Sequence, residues 1–169
     1  MKVVSNTTPL IYLAKGNLLY VLKELFELVY IPQEVYKEAV DAGLAKGYSD
    51  AQEIENACGA WIVTRAINID LGVIMSQKRE ERPEIDRMLR GIHDGEIEVL
   101  SLAIELDVDK IIADDRAFIK VVNSLSEIFK GELIGTGDVL DIALRRRIIT
   151  QDEYTNFLDG LGSAIAWVE

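Results

Sequence analysis

Apolar residues along this chain fall into two alternating patterns. The first is helical. In residues 94–106, DGEIEVLSLAIEL, Val99, Leu100, Ala103 and Leu106 recur at the spacing of one helix face. The second is the short apolar run bounded by polar residues: Val3-Val4, Val29-Tyr30-Ile31, Trp61-Ile62-Val63, Ile111-Ile112-Ala113 and Leu133-Ile134. Runs of that length suit strands covered on both faces. Between them the spacing predicts helices over 18–26, 33–45, 51–57, 84–90, 118–129, 138–146 and 151–161. A further helix opens at Thr7 or Thr8, with Pro9 at its first position, and stops at Gly16. Thr150 with Glu153 three residues on gives the last helix a capping box. Residues 67–76 read equally as strand or helix, with Gly72 against a regular helix, and 77–82 is a mixed-charge surface run. Strand and helix in alternation predict an α/β fold.

Composition narrows the class. The 169 residues are 49% hydrophobic, enough for one cored domain over 1–169. No repeat, low-complexity tract or long linker divides them. A formal net charge of -11 disfavours general nucleic-acid binding, because phosphate contacts need Lys and Arg. Local basic groups remain at Arg145-Arg146-Arg147 and Lys78-Arg79, the best candidates for RNA contact. The single cysteine, Cys58, excludes an intrachain disulfide and a cysteine zinc site. With no signal-like segment and no long apolar run, the expectation is a soluble, cytoplasmic protein without membrane contact.

Candidate chemistry gathers at strand ends and helix starts: Ser5, Asn6, Thr7, Glu38, Glu96, Glu98, Asp114 and Asp115. Open α/β sheets bind their ligands at the carboxyl ends of the strands. Oxygen-only donors select Mg2+ or Mn2+ over zinc. Taken singly, the same residues are explained as helix caps and partners of helix dipoles. His93, just before the acidic helix, and Arg116, after the aspartate pair, are candidate phosphate contacts.

The blocks VVSNTTPLIYLAK, VYIPQEVYKEAV, DGEIEVLSLAIEL, IIADDRAF and ELIGTGDVLDIALRRRII, in that order, resemble the PIN-domain superfamily. The similarity extends to its VapC-type ribonucleases and is nearest to an uncharacterised archaeal and bacterial PIN-like family. It spans most of the chain and leaves 47–91 unmatched. The resemblance implies a three-layer α/β/α sandwich around a central, mainly parallel sheet. It also implies a Mg2+- or Mn2+-dependent endoribonuclease. The acidic positions of the superfamily fall on Asn6, Glu38, Glu96 and Asp115, with Glu98 and Asp114 beside them. Apart from the resemblance, Thr7, His93 and Arg116 are the candidate substrate contacts. Glu38, Glu96 and Asp115 would be the catalytic set. Asn6 departs from the aspartate usual in active members and removes one negative charge from the cation site. Two functions follow: an RNA-cleaving enzyme, including the toxin of a toxin-antitoxin pair, or a catalytically weakened module working through protein contacts. An antitoxin protein and a second copy of the chain are the implied partners; the apolar segments around Tyr12-Leu13 and Leu18-Leu19 are available as a homodimer contact, though the sequence does not locate that interface.

Overall fold

The structure, a computed structural model, describes residues 1–168; Glu169, the last residue of the expected domain, lies outside the described residues. Five strands form one sheet in the order β3-β2-β1-β4-β5: β1 Val3–Ser5, β2 Val29–Pro32, β3 Ile62–Arg65, β4 Lys110–Ile112 and β5 Glu132–Ile134. Every pairing is parallel, with Val4 opposite Tyr30 on one side and Ile111 on the other. The expected α/β/α sandwich is present. Val3, Val4, Ile31, Ile111, Ile112 and Ile134 are fully buried, so the sheet is covered on both faces.

The connections explain the layers. The path from β1 through β2 to β3 runs outward in one direction. It carries α1 Thr7–Lys15, α2 Tyr20–Phe26, α3 Gln33–Tyr36, α4 Ala42–Ala45 and α5 Ser49–Cys58. The path from β3 to β4 and β5 runs the other way, through α6 Leu71–Gln77, α7 Pro83–Leu89, α8 Asp94–Leu106 and α9 Arg116–Ser124. Right-handed crossovers put these two sets on opposite faces. Helices α10 Thr136–Arg145 and α11 Gln151–Leu161 return to the first face, where α10 packs on α1 and α2. The direction of winding reverses between β1 and β4, a topological switch point.

Several expectations change in detail. Asn6, not Thr7 or Thr8, caps α1: its Oδ1 accepts from the Thr7 N–H at 2.8 Å. The helix expected over 33–45 is broken by a π-helical turn, Lys37–Asp41, which carries Glu38. The ambiguous 67–76 stretch contains a true helix, α6. Asp70 caps it by accepting from the Val73 N–H at 3.1 Å, and buried Ser101 takes the Leu71 N–H at 3.0 Å. The helix expected over 118–129 begins two residues earlier and stops at Ser124. Leu13, Leu18 and Leu19, expected at a homodimer contact, are buried in the core. Helices α5 and α10 pack on α1, α10 also packs on α2, and Phe157 of α11 lies against Gly16, partners that no local pattern shows. No helix among the described residues is long and apolar enough to cross a membrane.

Candidate active site

At the switch point, β1 and β4 end side by side, with Ser5 opposite Ile112 and the Asn6 N–H donating to the Ile112 carbonyl at 2.9 Å. Asn6 is therefore fixed at the carboxyl end of β1, and Asp114 and Asp115 follow β4 directly. The first turn of α8 brings Glu96 to the same place. Its Oε2 accepts from the His93 N–H at 3.0 Å, closing the free end of the helix. Glu96 is buried, and burial raises its pKa above the usual carboxylate value. The His93 hydrogen bond opposes that rise, the nearby Asp115 charge adds to it, and a side-chain hydrogen bond from Asn6 lowers it again.

Neighbours in sequence separate in space. Asp115 is exposed and caps α9, its Oδ1 accepting from the Phe118 N–H at 2.9 Å. Asp114 turns inward. Its Oδ1 accepts from the backbone N–H groups of Thr136 at 2.9 Å and Ala166 at 2.8 Å, and its Oδ2 from the Thr136 hydroxyl at 2.7 Å. Burial outweighs these three donors and raises its pKa. Asp114 thus ties β4 to the start of α10 and to the tail. Glu98, expected as a helper beside Glu96, instead accepts from the Glu34 N–H at 3.1 Å and ties α8 to α3.

Glu38 arrives from the π turn, a device frequent at functional sites. Its Oε2 accepts from the Thr7 hydroxyl at 2.6 Å, and Oε1 rests against Gly95, the residue before Glu96. His93 and Arg116 are exposed beside these groups. The basic groups lie elsewhere. Arg145 ends α10, which starts at the strand carboxyl ends and runs away from them for roughly 15 Å. Arg79 is drawn to buried Asp86 at 3.6 Å.

The structure therefore brings Asn6, Glu96 and Asp115 together and places Glu38 and Thr7 against them through Gly95. Among the described residues, no three Asp, Glu, His or Cys side chains make a group able to hold a metal ion. Asn6 adds an amide oxygen, not a carboxylate, at the carboxyl end of β1. In donor chemistry the set fits a hard cation, since every side chain offers oxygen. A cleft of about 860 Å3 opens alongside, between α6, α7 and α8; Asp70, Val73, Asp86, Arg90, Asp94 and Glu98 line part of it. The stretch from Asp70 to Arg90 builds its outer wall.

Asp138 was missed from sequence. Its Oδ2 accepts from the Gly135 N–H and from the Val168 N–H, both at 2.7 Å. The available signal was an acidic residue three places after Gly135, at the start of a helix. The other clue, the tail lying against it, is long-range.

The family model DUF3368, described as a PIN domain, matches residues 2–169. No curated protein and no solved structure matches the chain.

Proposed function

Because the chain belongs to the PIN-domain family, as a match over nearly its whole length shows, we propose that it is a metal-dependent endoribonuclease hydrolysing RNA phosphodiester bonds. The observation that supports this reading best is the meeting of Asn6, Glu96 and Asp115 at the switch point of a parallel sheet, where such folds bind ligands. PIN domains generally use divalent metals. Here Mg2+ or Mn2+ would be held by Glu38, Glu96 and Asp115 with the carbonyl oxygen of Asn6. When bound, such an ion neutralises charge on the phosphodiester and lowers the pKa of a coordinated water.

The chain's own residues supply the rest. The Thr7 hydroxyl orients Glu38, and the His93 N–H and Asn6 side chain orient Glu96. Exposed Arg116 offers a guanidinium to the phosphate entering beside Asp115. Cleavage of a mixed single-stranded RNA pool with Mn2+, lost with EDTA and in Asp115→Asn, is the expected result. An intact RNA pool with the wild-type protein at millimolar Mn2+ and Mg2+ overturns it.

One observation favours a second reading. The Asn6 side chain already favours the charged form of the Glu96 carboxylate, so the pocket is partly satisfied without a cation. That suits a catalytically weakened module acting through protein contacts. Cleavage gained only in Asn6→Asp would support it over the first reading.

A further inference from the structure

The backbone of Gly95 is ordinary helix; among the described residues only Gly47 is a glycine with positive φ. Conformation therefore does not call for glycine at the second position of α8, and alanine would favour the helix there. Space does call for it. A Cβ on Gly95 would sit 2.8 Å from Glu38 Oε1 and 3.3 Å from its Cδ, closer than such atoms approach. The other carboxylate oxygen of Glu38 is already engaged by the Thr7 hydroxyl at 2.6 Å. The Glu38 carboxylate is thus pinched between the start of α1 and the first turn of α8, next to Glu96.

We propose that Gly95 is a positioning residue for Glu38, its bare backbone forming the wall that lets this carboxylate reach the Glu96 side of the site. The value of that placement for binding a cation rests on the nuclease reading above; the placement itself does not. The obstructed atom belongs to the end of a flexible exposed side chain, so a methyl group at position 95 displaces Glu38 and leaves the fold standing. Improved helix formation and a spoiled site would then arise from one substitution.

Two measurements test this. Mn2+ affinity, read by the paramagnetic signal of the free ion, should weaken roughly tenfold in Gly95→Ala, the cost typical of disturbing a ligand's support. Melting temperature should stay level or rise. Glu38→Asp, one methylene shorter, should restore part of the affinity when combined with Gly95→Ala. The second is a double-mutant cycle by urea unfolding. Thr7→Val should lower the urea midpoint in the wild-type background and have little effect in Gly95→Ala, where Glu38 has already left Thr7. Additive midpoint shifts, or unchanged Mn2+ affinity in Gly95→Ala, overturn the proposal. If the wild-type protein binds no Mn2+, the cation reading fails, and the cycle alone decides whether Gly95 positions Glu38.

Discussion

The Asn6 side chain lies close enough to the buried carboxylate of Glu96 to favour its charged form. An aspartate at position 6 would put a negative charge against one that is already short of solvent and close to Asp115. Asn6→Asp should therefore destabilise the metal-free protein by about 1–3 kcal/mol, the usual range for a buried polar group that loses its partner. The same variant should show a larger melting-temperature rise with Mn2+ than the wild type, and Asp115→Asn should show none. Thermal melts of the three proteins with and without Mn2+ check both halves. Equal stability with and without metal in all three would remove the cation site.

Asp114 accepts three hydrogen bonds in the interior. Asparagine can keep all three contacts, since its Oδ1 accepts both backbone N–H groups and its amide donates to the Thr136 hydroxyl oxygen. Asp114→Asn should cost under about 1 kcal/mol, whereas Asp114→Ala strands three donors and should cost about 2–4 kcal/mol. Urea unfolding of both variants gives the comparison. A similar loss in each would mean that charge, not hydrogen-bond geometry, is what the fold requires at this position.

Burial pushes the Cys58 thiol up to about 11, against a lowering hydrogen bond with Thr64. The folded pKa lies above the ordinary thiol value of 9.0, so the folded state holds its proton longer than the unfolded one. This group costs nothing below pH 9, and stability falls as pH rises from there through about 11. Alkylation by iodoacetamide at pH 8 should be slow relative to a free thiol, and Cys58→Ser should lose less stability between pH 9 and pH 11 than the wild type. Fast alkylation at pH 8 would contradict the raised pKa of this half-buried thiol.

A Cβ at Gly137 would lie 2.3 Å from the Trp167 ring. Gly137→Ala should expel that ring, giving red-shifted, more readily quenched emission in a Trp61→Phe background where Trp167 is the sole reporter. Unchanged emission would mean that the tail does not rest on the start of α10.

The sequence pattern identifies the sheet and most helices because each of their apolar faces is local information. Val99, Leu100 and Ala103 sit on the buried side of α8 as their spacing requires, and Thr150 and Glu153 form the expected capping box, with the Glu153 N–H reaching the Thr150 hydroxyl at 3.2 Å. What was hidden depends on partners far along the chain. Nothing local shows that Asp114 faces Thr136 and Ala166 while Asp115 faces out, or that Glu98 turns to α3. The π turn is equally silent, since residues 33–45 carry an unbroken helical pattern. Leu18 and Leu19 read as available apolar surface only while α10, which packs on α2 from far along the chain, is out of view.

The site itself was legible as a set of residues and not as an arrangement. Asn6, Glu96 and Asp115 meet as the order of elements implies. The capping duties of Glu96 and Asp115 were readable from their places at helix starts, whereas that of Asn6 was not, since Thr7 or Thr8 read as the cap of α1.

The first strand of the chain is the middle strand of the sheet, and its neighbour on the site side is β4, with Val3 opposite Lys110. Closing a loop of that length is entropically slow, so this pairing belongs to the later events of folding. Asn6 and Asp115 hang from the ends of those same two strands. A nascent chain still emerging from the ribosome, with β4 not yet made, has neither the central pair nor the acidic cluster. Assembly of the core and assembly of the site are one event, and a partly synthesised copy carries neither.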